Sequence, residues 1–297
     1  GINFPRPVIQ EAVEAKSKGD EDKISNGLAR LHEEDPTFES RVDPDLKQTL
    51  VSGMGELHLE VIIGRLKRKF GVEVEMIKPK IPYRETIRGT AEASYRHKKQ
   101  TGGRGQFGEV SIRVQPRGRS EGFEFVNAIS GGVIPSRFIP GVEKGIVEAM
   151  AAGVQAGCQV IDMQVTLFDG KHHPVDSSEM AFKIAGSQAF KKAFLDATPS
   201  ILEPIYELTV KVPEDYMGDV IGDLSSRRGK ILGMDAGGGK EVIKAMVPLA
   251  EMYRYSTHLR SMTQGRGSHS MIFKHYEDVP SEVAQVVIKE AAETKEG

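Results

Sequence analysis

Glu56-Leu57-His58-Leu59-Glu60-Val61-Ile62-Ile63-Gly64-Arg65-Leu66-Lys67-Arg68-Lys69-Phe70-Gly71-Val72-Glu73-Val74-Glu75-Met76 changes its period at Gly71. Before it, Leu59, Ile62, Ile63, Leu66 and Phe70 recur at three- and four-residue spacing, one stripe of an α-helix. After it, Val72, Val74 and Met76 alternate, the period of a strand with one buried face. Gly71 is a natural stop, because glycine takes left-handed backbone without steric cost. Upstream, Gln48–Ser52 and Phe38–Val42 read as short strands around the turn Asp43-Pro44-Asp45. Asp20 is expected to cap a helix through Leu31, with Ile24, Leu28 and Leu31 on its stripe. Val8–Ala15 alternates as a first strand. The order β-α-β-β-α-β predicts a ferredoxin-like split βαβ layer, two helices on an antiparallel sheet.

The last segment repeats that order. Tyr206, Leu208, Val210 and Val212 alternate, and Pro213-Glu214-Asp215 opens a helix that ends at Gly229. Ile231–Met234 and Val242–Val247 pair around Gly237-Gly238-Gly239; a helix over Glu251–Met262, a strand at Met271–Phe273 and a helix over Pro280–Glu290 follow. The middle segment differs. Glu109–Val114, Phe123–Ile129 and Val160–Leu167 read as strands. Pro140 stands at a first helical position, ahead of a stripe of Val142, Ile146, Ala149 and Met150. A long helix is expected over Ser177–Ala197, with Asp176 and Glu179 at capping-box spacing. The linker Lys78-Pro79-Lys80-Ile81-Pro82 and the prolines 199 and 204 divide the chain into three expected domains, 1–80, 81–202 and 203–297. The fold class is therefore α+β.

Hydrophobic residues make up 39% and charged residues 28% of the 297, a globular balance with no apolar run long enough for a bilayer. No signal peptide is read at the start, and no membrane partner is expected. One cysteine, Cys158, excludes an intrachain disulfide and fits a reducing cytoplasm. The net charge of -2 does not by itself indicate a nucleic-acid binder, and its distribution is the more informative quantity. Arg96, Lys98, Lys99, Arg104, Arg113, Arg117 and Arg119 face only Glu109 between Ser94 and Arg119, an excess that attracts phosphate. A solvated, charged hairpin is the plainer reading of the same cluster.

Gly103-Arg104-Gly105-Gln106-Phe107-Gly108-Glu109-Val110 spells a nucleotide-loop string. A dinucleotide fold needs a helix after it, and here a strand is expected. The kinase reading lacks its lysine and its catalytic-loop sequences. A mobile basic loop whose backbone approaches RNA is the better reading. No G-x-x-x-x-G-K-[ST] is present, so no bound nucleotide and no GTP hydrolysis are expected of this stretch by itself. Lys171-His172-His173-Pro174-Val175-Asp176-Ser177-Ser178-Glu179 could suggest a metal or a triad. Adjacent histidines in extended chain point apart, so no metal ligands are expected. Asp176 and Glu179 are better read as caps, which leaves His172 and His173 to donate hydrogen bonds or stack. Ser130–Pro135 forms a third loop. Arg227-Arg228-Gly229 at a helix end reads equally as dipole-complementing residues or as a phosphate clamp.

Together these motifs resemble the elongation factor G family. Ser52–Glu60 contains G-M-G-E-L-H-L, and Pro82–Ile87 contains Y-R-E-T-I. Lys99–Gly108 is similar to K-Q-S-G-G-R-G-Q-Y-G, with Thr101 and Phe107 as departures. Gly131–Pro135 is G-G-V-I-P, and Val175–Phe182 is V-D-S-S-E-M-A-F. Gly218–Arg228 and Leu259–Gly267 resemble the family's last-domain motifs. The resemblance runs from about Phe4 to Glu290 and implies domains III, IV and V. Domains III and V would be ferredoxin-like, flanking a domain IV like the second domain of ribosomal protein S5. The family moves tRNA and mRNA through the ribosome with GTP hydrolysis in an N-terminal domain, where GTP and Mg are held.

By that resemblance, Lys98, Lys99, Gln100, Gly102, Gly103, Arg104, Gly131, Gly132, Val133, His172 and His173 would contact RNA at the decoding region. Arg227, Arg228, Arg260 and Arg266 would face large-subunit ribosomal RNA and the L11 stalk base. A monomer is expected. The turn Asp43–Thr49, the neighbours of His173 and the mid-helix Gly64 depart from the family's pattern. They suggest a divergent paralogue, with recycling or ribosomal protection as alternatives to translocation. A hydrolase using His173, Asp176 and Ser177 is the alternative from another class.

Overall fold

The computed structural model describes residues 7–100, 105–237 and 240–296. They form two compact units, Gly1–Pro82 with Pro204–Lys274 and Tyr83–Glu203 with His275–Gly297. Among the described residues, no helix is long and apolar enough to cross a membrane.

The first unit opens with β1 (Ile9–Ala15), α1 (Glu21–Glu34), β2 (Glu39–Asp43), β3 (Gln48–Gly53), α2 (Glu56–Phe70) and β4 (Val74–Ile77). The antiparallel sheet runs β2-β3-β1-β4. Ile24, Leu28 and Leu31 of α1 and Leu59, Ile62 and Leu66 of α2 pack on Val13, Val51 and Val74. Gly71 ends α2 at φ 66° as its period predicts. Asp20 heads α1 but makes no side-chain cap; its carboxylate instead takes the Lys23 ammonium at 2.9 Å. Asp43 accepts the amides of Asp45 and Leu46 at 3.1 and 3.0 Å, a local turn built by its own side chain. Nothing in the structure explains Gly64, whose added Cβ would meet no atom within 4 Å.

The other unit contains β5 (Arg84–Ile87), β6 (Ala91–Lys99), β7 (Gln106–Pro116), β8 (Phe123–Asn127), α3 (Ile139–Ala152), β9 (Met163–Lys171) and α4 (Glu179–Asp196). Its sheet runs β6-β7-β9-β8, antiparallel except for the parallel pair β8–β9. Val110, Ile112, Val114, Val165 and Leu167 of the sheet share one core with Val142 and Ile146 of α3 and Phe182 and Phe190 of α4. The two helices approach at Gly141, Gly145 and Gly186. Pro140 is the second residue of α3, not the first. Val160 lies outside β9, in an isolated bridge with Glu85, and its amide donates to the Met150 carbonyl at 2.9 Å. The cap of α4 is Ser178, whose Oγ accepts the Ala181 amide at 3.1 Å, and not Asp176.

β10 (Pro199–Val212) pairs with β5 through its first four residues and with a later strand from Ile205 onward. It is followed by α5 (Met217–Ser226), β11 (Lys230–Gly237), β12 (Lys240–Pro248), α6 (Tyr255–Met262), β13 (Ser268–Asp278) and α7 (Ser281–Glu296). The order β11-β12-β10-β13 places second, third, first and fourth strands as in β2-β3-β1-β4. The split βαβ layer therefore occurs twice, and the α+β fold is as expected. The linkers group α7 with the last domain. Its Val283, Val287 and Ile288 pack instead with Tyr83, Ala156 and Ile201 of the middle domain. Asp278, just before it, accepts Ser200 Oγ at 2.6 Å and pairs with Arg88 and Arg119 at 3.1 and 3.3 Å.

Candidate nucleic-acid interface

One end of the middle sheet gathers three loops. β6 ends at Lys99, directly opposite Gln106 at the start of β7. β9 ends at Lys171, opposite Glu109, and leads into 172–178 and the start of α4. β8, parallel to β9, ends at the same side and leads into 128–135. β7 follows Gly105, so a strand and not a helix comes after the glycines of the nucleotide-loop string, as its sequence context predicts. Thr101, Gly102, Gly103 and Arg104 lie outside the described residues.

Hydrogen bonds tie the loops together. His172 Nδ1 lies 3.0 Å from the Val133 carbonyl and donates to it. Gly131 and Gly132 have φ of 66° and 68°, a left-handed pair that side chains resist. Ile134, almost fully buried, roots their loop against Gly170, where any Cβ would lie 2.5 Å from its Cδ1. The Gly105 amide donates to Asp176 Oδ1 at 3.1 Å. The Phe107 amide donates to the Asp176 carbonyl at 2.9 Å, and Ser177 Oγ donates to the Phe107 carbonyl at 2.9 Å. His173 Nδ1 is 3.1 and 3.3 Å from the amides of Asp176 and Val175. Asp176 Oδ2 also lies 3.5 Å from that nitrogen. The two shorter contacts are from N–H groups that can only donate, so Nδ1 is an acceptor and the ring proton sits on Nε2. His172 and His173 thus engage different partners, as their adjacency predicts.

Asp176 is therefore a loop clasp, where its spacing predicts a helix cap. The hydrolase alternative fails on the same geometry. Ser177 is buried, and its hydroxyl proton is committed to the Phe107 carbonyl and not to an imidazole.

The basic cluster sorts into paired and unpaired charge. Arg96 pairs with Glu109 at 2.5 Å, and that hydrogen bond raises its already high pKa. Arg113 pairs with Glu92, Arg117 with Glu121 and Glu124, and Arg119 with Asp278. Among the described residues, Lys98 and Lys99 have no acidic partner and are exposed, and exposed Gln100 follows them. Lys171 is also exposed and without an acidic partner among the described residues. The sequence does not single out Lys171 as a contact; its signal is a basic residue at the end of an alternating strand beside two histidines.

The elongation factor G domain III family matches residues 4–78, its domain IV family residues 79–198, and its C-terminal family residues 200–287. The chain belongs to the elongation factor G family. It is also similar to a protein from Thermus thermophilus of known crystal structure, with 43% identity and a TM-score of 0.87. The match covers 99% of this chain and 44% of that one, so the chain spans less than half of its relative's length. The loop cluster then lies at one end of the elongation factor G domain IV.

The four arginines expected to face the large subunit lie in the C-terminal elongation factor G region, apart from the domain IV loops in sequence. Arg227 is held internally. Its Nε meets Asp223 at 2.9 Å, its Nη1 donates to the Glu251 carbonyl at 2.6 Å, and it lies over the Tyr255 ring. Arg228 pairs with Glu251 at 2.9 Å. Arg260 is exposed and donates to the Met54 carbonyl at 3.4 Å. Arg266 is exposed, bonded to the Tyr216 hydroxyl and stacked over its ring.

Proposed function

We propose that this chain is the ribosome-binding part of a translational GTPase that drives GTP-dependent translocation of tRNA and mRNA. The tip of domain IV contacts the tRNA–mRNA duplex in the small-subunit decoding region. The observation that carries this reading is the convergence of Lys98, Lys99, Gln100, Gly131, Gly132, Val133, His172 and His173 on one end of domain IV. An A-form duplex offers 2′-hydroxyls and base edges in a shallow minor groove, which short loops with donors can reach. The unpaired lysines supply attraction to phosphate without dictating sequence. In the C-terminal region, Arg227, Arg228, Arg260 and Arg266 face large-subunit ribosomal RNA and the L11 stalk base, with Arg260 and Arg266 the more exposed of the four. GTP and Mg belong to an N-terminal domain of the parent protein, which acts in the cytoplasm as a monomer.

Two measurements test this. In the full-length factor, His173→Ala slows translocation at least tenfold while ribosome-stimulated GTP hydrolysis stays within about twofold, a loss of about 1.4 kcal/mol or more on one step alone. Equal loss of both activities counts against the assignment. Ribosome binding weakens with salt, and Lys98→Ala/Lys99→Ala lowers the log–log slope by about one to two, one counterion per lost phosphate contact. An unchanged slope removes the basic loop from the interface.

A further inference from the structure

We infer that Asp176 and Ser177 are positioning residues that fix the proton of His173 on Nε2 and lock the two contact loops into one body. The inference rests on the domain IV reading above, but its geometry stands without a ribosome. Several contacts run through this dipeptide. Asp176 uses its carboxylate for the Gly105 amide, its carbonyl for the Phe107 amide and its own amide for His173 Nδ1. Ser177 accepts the His173 amide at 2.8 Å while donating to the Phe107 carbonyl. Gly105 has no spare room there, since an added Cβ would lie 3.0 Å from the Asp176 carboxyl carbon. The Phe107 ring rests 6.2 Å from the His173 ring, closing the other side.

The consequence concerns chemistry. With Nδ1 accepting from two amides, Nε2 is the ring nitrogen that His173 has left to offer as a donor among the described residues. His173 is exposed, so Nε2–H can be offered outward. It would recognise an acceptor: a 2′-hydroxyl oxygen or the O2 or N3 of a base edge in the minor groove. A cationic imidazolium would instead favour phosphate, and it would need a proton on Nδ1, where the two amides point. The clasp thus turns a generic basic loop into a directional one. It also moves with the β6–β7 hairpin, because Gly105 and Phe107 are held by the same dipeptide that orients the ring.

The test is nitrogen NMR on the whole 297-residue chain labelled at histidine, at about pH 8, well above the ordinary histidine pKa, with and without substitution. Wild-type His173 is expected to show one protonated ring nitrogen, Nε2, and one unprotonated nitrogen, Nδ1, with the wide separation of a single tautomer. Ser177→Ala and Asp176→Ala draw the two resonances together as the tautomers mix. Asp176→Asn, whose side-chain oxygen still accepts the Gly105 amide, restores the separation. A mild effect on folding alone would not produce that rescue. A proton on Nδ1 in the wild-type chain, or an unchanged separation in both alanine variants, overturns the inference. If the resonances respond as expected but His173→Ala leaves translocation by the full-length factor unchanged, the clasp stands and the proposed contact falls.

Discussion

Glu85→Ala destabilises the middle domain by about 3 to 5 kcal/mol, seen as a lower urea midpoint for that unit. Glu85 is fully buried on β5, and its carboxylate is held by backbone amides alone among the hydrogen bonds of the described residues. Its two oxygens accept four of them, from Val154, Gln155, Ala156 and Cys158, at 2.8 to 3.0 Å. The segment after α3 curls tightly to aim them inward, with Gly153 and Gly157 at φ of 74° and 69°. Oriented amides of this kind form a nest for negative charge. Alanine leaves the donors without an acceptor, and the amide of Ala156 is the most deeply buried of them. Water reaching the partly buried three keeps the cost below four full penalties. Glu85→Gln lies between, because its amide group keeps an acceptor but turns a donor toward donors. Hydrogen exchange at Val154–Cys158 speeds up before the rest of the unit. A midpoint unchanged in Glu85→Ala would show that the carboxylate does not hold this loop.

The second large effect is at the contact of α3 with α4. A Cβ on Gly145 would lie 2.1 Å from the Lys183 carbonyl oxygen and 2.9 Å from its carbon. The neighbour is backbone, so no side chain can swing aside. Gly141 and Gly186 make the same close approach to Glu179 and Val142, which fixes the two axes near each other along a row. Gly145→Ala therefore pushes the helices apart and costs about 3 kcal/mol, the upper end for overpacking. Gly64→Ala is its control: that helical position is open, and alanine there stabilises by up to about 1 kcal/mol. Thermal midpoints moving in the same direction for both variants would overturn the packing argument.

Those two sites show what a single sequence does and does not carry. α2 is legible to the residue because its stripe and Gly71 are local signals. β6 reads only as part of a charged hairpin. Just Ala93 is buried along it, so an edge strand of this kind shows little alternation. The cap of α4 is hidden because Asp176, Ser177 and Ser178 are all good capping residues in a row. What selects Ser178 is Gly105, distant in sequence, which engages Asp176. The same long-range contact conceals the clasp. The apolar face of α7 can be read, but its partners Tyr83 and Ile201 cannot. Of the tip, the three motifs are visible as strings. Their meeting at one end depends on β8 running parallel to β9, a pairing that no local pattern announces.

The return of the chain to the middle unit at His275 has a consequence for the order of synthesis. Ile201 and Ala156 are covered by Val279 and Val287. A chain made from its N-terminus therefore emerges with that patch bare, and it stays bare while all of α5 through β13 is translated. Local strand pairing around β7 and β9 can form early, but this small cluster closes last. During that interval the nascent unit offers apolar side chains to chaperones or to neighbouring chains, the usual hazard of a domain built from discontinuous segments.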